Sequence, residues 1–170
     1  MNGSQPAGGQ AALPEGEFEG REAFEQLVRD ALANAAAQGW REIVLCDASF
    51  EDWPLGERAV AQSLHDWSQA GRTCILLARR WEAAAFRHAR FVEWRKRWSH
   101  IVDARACPSA DEQGFPSAIW TPTWAMERRD PERNRGISST EAGRRVLLRE
   151  KLDEWLRKSG PSFAATRLGL

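Results

Sequence analysis

Two short runs decide what this chain folds into. Ile43-Val44-Leu45-Cys46 and Cys74-Ile75-Leu76-Leu77-Ala78 are apolar at every position, the pattern of strands covered on both faces rather than on one. Asp47 ends the first run. Between the runs, Ala59, Val60, Ser63, Leu64 and Trp67 recur at helical spacing, and Gly71 follows. A buried strand, a helix of about four turns and a second buried strand make parallel strands joined by a crossover the expected local topology.

The same logic extends outward. Phe24, Leu27, Val28, Ala31 and Ala35 predict a helix over Phe18–Gln38, with acids at its start where the helix dipole favours them and Gly39 to stop it. Ser99–Ala104 reads as a third, less apolar strand. Ala118–Arg128 reads as two short strands broken near Pro122. Ser138-Ser139-Thr140-Glu141 offers capping residues for a helix over Thr140–Lys158, with Val146, Leu147 or Leu148, Leu152, Trp155 and Leu156 facing the core. Phe163, Leu168 and Leu170 form an apolar tail expected to dock on the body. Residues 1–15, rich in Gly, Ala, Gln and Pro, are expected to be a disordered tail. The expectation is α/β: one domain over residues 16–170, with a mostly parallel or mixed sheet of about four to six strands and helices on both faces.

Composition excludes more than it identifies. Twenty-four Lys and Arg balance 24 Asp and Glu over 170 residues, which argues against a generic polyanion binder and leaves room for a local basic patch. Three cysteines without C-x-x-C spacing do not make a disulfide framework or a zinc site. Cys46 and Cys74 sit in apolar runs and read as small buried hydrophobes, whereas Cys107 sits in a loop and is expected at the surface. No run approaches the ~18 apolar residues of a membrane span, and residues 1–14 lack the form of a signal peptide. A cytoplasmic protein without membrane insertion, metal or cofactor is the expectation.

The densest chemistry lies in Arg79–Trp98, where seven Lys or Arg side chains and three tryptophans stand against two acids. On a helix, Ala84, His88, Phe91 and Trp98 fall along one side, with Ala85 and Val92 beside them, and read as core. Arg87, Arg90, Trp94 and Arg97 fall along another. Guanidiniums can take phosphate or carboxylate there, and Trp94 can stack on a base. The plainer reading of the same face is a solvated helix surface. The leading functional reading is a non-catalytic binding protein that presents these four residues to an acidic protein or nucleic acid.

A second reading is enzymatic. Asp47 follows a buried strand, and ligands of open α/β sheets lie beyond the carboxyl ends of strands. With Glu51 and Asp52 nearby, a metal-dependent hydrolase acting on a phosphorylated substrate through Asp47 and Asp52 is the alternative. The plainer reading is that Asp47 or Asp52 caps a turn. No Gly-rich phosphate loop follows Asp47, Ser49 spoils a D-x-D pair, and no serine lies in G-x-S-x-G. His65, His88 and His100 read as structural. No catalytic residue is assigned.

Asp52-Trp53-Pro54-Leu55-Gly56, Arg90-Phe91-Val92-Glu93-Trp94-Arg95 and the ending Arg167-Leu168-Gly169-Leu170 resemble an uncharacterised family of proteobacterial proteins. More distantly, the layout is similar to one half of a phospholipase D-like domain. The chemistry of that family needs H-x-K-x-x-x-x-D. Here Trp67, Arg90 and Val102 stand two places after the three histidines, and Arg95 stands where the aspartate would follow His88. The resemblance therefore implies a degenerate active site without phosphodiesterase activity. It also implies a homodimer, since phospholipase D-like halves pair and this chain has one.

Overall fold

In the computed structural model, residues 12–164 are described, and the chain forms one mixed sheet of eight strands with helices on both faces. The strands are β1 (Gly16–Phe18), β2 (Glu42–Cys46), β3 (Thr73–Ala78), β4 (Val102–Ala106), β5 (Ala118–Trp120), β6 (Ala125–Asp130), β7 (Arg135–Ser139) and β8 (Gly160–Pro161). The helices are α1 (Arg21–Gln38), α2 (Arg58–Trp67), α3 (Glu82–Arg87), α4 (Ala89–Arg97) and α5 (Ala142–Arg157). The strand order is β1-β7-β6-β5-β2-β3-β4-β8.

The two apolar runs are the centre of this sheet. β2 pairs in parallel with β3, and β3 with β4. The remaining pairings are antiparallel. The sheet is therefore mixed, and its parallel part is confined to the crossover that the apolar runs predict. Alternate residues of the central strands enter two cores. Ile43, Leu45, Cys74, Leu76 and Ala104 meet α1, α2 and α4, while Val44, Cys46, Ile75 and Leu77 meet Leu148 and Leu152 of α5. Burial on both faces is what a continuous apolar strand requires.

Several boundaries differ from those read in the sequence, each for a local reason. Phe18 lies in β1, not in α1, because Gly20 at φ 102 turns the chain before the helix begins. Gly39 does stop α1: it is left-handed at φ 66, and its N–H returns to the Ala35 carbonyl at 3.0 Å. Ser138 and Ser139 belong to β7, with α5 starting at Ala142. In α5, Leu148 and Leu152 are buried, whereas Val146 and Leu147 are exposed.

The tail boundary also moves. Leu13 packs on the core, and the Pro14 carbonyl accepts hydrogen bonds from Trp124 Nε1 (3.0 Å) and Ser138 Oγ (2.8 Å). At the other end, Phe163 docks as expected, stacked 4.8 Å from Trp81. Residues 1–11 of the expected tail, and Leu168 and Leu170, lie outside the described residues.

β7 owes its position to Gly136, which pairs with Phe18 on one side and Arg128 on the other. A Cβ there would overlap the Glu127 carbonyl and approach Phe18 Cζ to 2.6 Å and Arg128 Cα to 2.8 Å. Two of those neighbours are backbone and cannot swing aside. Gly136→Ala is expected to cost at least about 1–3 kcal/mol in urea unfolding. Gly114→Ala, whose methyl meets open space, serves as the near-neutral control.

Candidate functional site

The Arg/Trp stretch is two helices, not one. His88 joins them at φ −117 and ψ 67, closing α3 and opening α4. It is buried, with Nε2 2.8 Å from the Phe50 carbonyl. A carbonyl only accepts, so Nε2 carries the proton and His88 is a structural tie. Ala84, His88 and Phe91 are buried, and Trp98 packs half-buried against the same core. The core side of the stretch follows its helical spacing, except for Ala85, which is exposed.

The other side does not hold together. Trp94 is fully buried, not a surface ring: it stacks 5.6 Å from Phe91, and its indole N–H donates to Ser68 Oγ at 2.8 Å. The break at His88 sends Arg87 elsewhere, where its Nη2 pairs with Glu51 at 2.9 Å. Arg90 and Arg97 are the two members left exposed on α4. Arg90 donates to the Gly56 carbonyl at 2.8 Å. Neither meets a carboxylate among the described residues. Arg58, Gln62 and His65 of α2 face Ala89, Arg90 and Glu93 of α4 across a groove of about 330 Å³.

One residue at this corner was not singled out in the sequence. Phe86, in the last turn of α3, is 90% exposed. Its signal was present: it lies two places from both Ala84 and His88, and so falls off the side that those two bury.

At the carboxyl end of β2, Asp47 is buried. One carboxylate oxygen accepts the N–H groups of Ser49 (3.1 Å) and Phe50 (2.8 Å), the turn-closing role of an aspartate in that place. The turn holds Phe50 at φ 56, which is unusual for a large side chain. The other oxygen accepts from Arg128 Nη2 at 2.9 Å.

Arg128, which the sequence reading passed over, is the centre of this cluster. Nη1 donates to Asp52 (2.6 Å) and Asn134 Oδ1 (2.8 Å), Nη2 also reaches Asp52 (3.2 Å), and Nε donates to Ser117 Oγ (3.0 Å). The guanidinium lies 4.0 Å from the Phe24 ring centroid. Burial pushes its pKa down, but the bonds to Asp52 and the charge of Asp47 outweigh that and leave it raised.

These contacts fill the place that the hydrolase reading gives to a metal. All five guanidinium N–H groups are engaged, and a fixed cation occupies the space between Asp47 and Asp52 that a metal would need. Among the described residues, no group of three or more His, Cys, Asp or Glu side chains is placed to hold a metal ion. The cleft beyond, of about 1010 Å³, alternates acids with bases, among them Glu51, Glu127, Arg129 and Lys151. Sequence offered one clue to Arg128: it alternates with the apolar Met126, so it points to the core side of β6.

All three cysteines are buried. Burial raises the thiol pKa of Cys46 and Cys74. Cys107 is buried too, contrary to its expected exposure, with Sγ 3.6 Å from the Trp155 carbonyl, and burial raises its pKa as well. No described helix is long and apolar enough to cross a membrane.

No protein-family model matches this chain, and no curated protein matches it. Among solved structures it is similar to TrmBL2, an archaeal chromatin protein whose structure is described as showing a novel mode of DNA binding. The TM-score is 0.62 at 12% sequence identity, and the match covers 92% of this chain and 57% of that one. The likeness is one of fold, and this chain spans little more than half the length of that relative.

Proposed function

We propose that this chain is a non-catalytic binding module that meets an acidic partner through the exposed arginines of α4, and that the partner is nucleic acid. One observation carries the reading. Arg90 and Arg97 are exposed and face no carboxylate among the described residues, whereas Arg29, Arg128 and Arg149 are held by paired acids. A guanidinium without a carboxylate partner keeps its charge and its remaining N–H donors for phosphate. Arg87, paired with Glu51, lies off this face, and Trp94 has no part in it. A zero net charge suits a local patch rather than a whole-surface field. The DNA binding described for TrmBL2 supports trying nucleic acid first.

The test is fluorescence anisotropy with labelled 20-nucleotide DNA, single-stranded and duplex, at low salt. Arg90→Ala/Arg97→Ala is expected to weaken binding at least about tenfold. It should also lower the slope of log affinity against log salt by about 2. Both side chains are exposed, so the unfolding midpoint should hardly move. Unchanged affinity and slope in the double variant would overturn the reading.

A further inference from the structure

We infer, resting on the nucleic-acid reading above, that the ligand is a single strand, with a base stacked on Phe86 and its backbone led into the groove between α2 and α4. Phe86 is 90% exposed, although burying a phenyl ring is favourable. Arg87 follows it in the chain and Arg90 lies in the first turn of α4, while the exposed Glu82 stands one turn before it on α3. A duplex stacks its bases on one another and offers their edges. A single strand offers their faces, and an aromatic ring beside guanidiniums is the platform that takes them.

The groove is built on α2 and on α4, the helix that follows Phe86 in the chain. Ala89, three residues after Phe86, lines it together with Arg90, Arg58, Gln62, His65 and one acid, Glu93. Arg90 is held in place by the Gly56 carbonyl, two residues before Arg58. At about 330 Å³ the groove has room for a sugar-phosphate unit. Ring and groove thus offer stacking and charge in succession. The other exposed apolar residues, Val146 and Leu147, lie on α5 against the opposite face of the sheet.

The experiment compares oligothymidylate, oligouridylate and a blunt duplex, all of 20 nucleotides per strand, by anisotropy with the full chain. The wild-type protein is expected to bind one or both single strands at least about tenfold tighter than the duplex, and the tighter of the two identifies DNA or RNA as the source. Phe86→Ala is expected to weaken single-strand binding about tenfold, with duplex binding and the unfolding midpoint unchanged. Arg58→Ala should weaken single-strand binding by severalfold.

Equal affinity for duplex and single strands, or no effect of Phe86→Ala, would overturn this inference. If Arg90→Ala/Arg97→Ala still weakened binding in that case, the phosphate-contact reading would stand alone. If no nucleic acid bound, both would fall.

Discussion

Replacing Arg128 by methionine is expected to lower the unfolding free energy by about 3–5 kcal/mol, the usual cost of removing one partner from a buried ion pair. The size follows from what the guanidinium leaves behind. Asp47 is 4% exposed and would keep its bonds to the Ser49 and Phe50 amides while losing its only described counter-charge at close range. Ser117 Oγ and Asn134 Oδ1 would lose a donor, and the Phe24 ring its cation. Asp52, whose side chain is 44% exposed, turns to water at little cost.

Urea unfolding followed by tryptophan fluorescence reads this directly. The double variant Asp47→Asn/Arg128→Met should regain part of the loss, because the stranded charge is gone while the amide oxygen still accepts from the turn. A loss under 1 kcal/mol in Arg128→Met would show that the cluster is not a stabilising centre. A metal-dependent hydrolase reading would instead need Asp47 to be open to a cation, which the Arg128 contacts deny.

The parts of this molecule legible in the sequence are those where burial writes an unbroken signal. β2 and β3 are covered on both faces beyond their first residues, Glu42 and Thr73, so Ile43–Cys46 and Cys74–Ala78 are apolar throughout and the parallel pair can be read directly. α1 shows the same clarity, since Phe24, Leu27, Val28, Ala31 and Ala35 all reach the core. β1, β7 and β8 were not legible. They are edge or near-edge strands two to five residues long, with serine, glycine and proline in place of an apolar rhythm.

The candidate site was legible only in composition. Charge and rings in Arg79–Trp98 marked a contact surface, but helical spacing alone set Trp94 beside Arg90 and Arg97. It could not show that Ser68, just past the end of α2, would draw the indole inward. Nor could a single period survive the turn at His88. Arg128 escaped because a charged residue between strand-like neighbours looks solvent-facing until its two acids, 76 and 81 positions away, are brought to it by the sheet.

Trp94→Ala is expected to cost about 3–5 kcal/mol, the range for emptying a buried large aromatic site. The indole is fully buried against Phe91 and ties α4 to Ser68 just past the end of α2, and the helix surface can collapse into the space only in part. Trp94→Phe separates the two contributions. It keeps most of the ring volume and removes the N–H donor, and Ser68 Oγ retains its own bond to the Leu64 carbonyl at 2.6 Å. Its cost should be nearer 1 kcal/mol for the lost hydrogen bond, with any misfit of the smaller ring added.

The same variant decides which ring faces the ligand. Trp94→Phe should fold and bind single-stranded nucleic acid as the wild-type chain does, because the indole never reaches the surface, whereas Phe86→Ala should fold normally and bind more weakly. The opposite pattern, a stable Trp94→Phe protein with lost affinity, would return the contact to Trp94. It would also require α4 to rotate away from α2 on binding, since no smaller movement frees an indole held between Phe91 and Ser68.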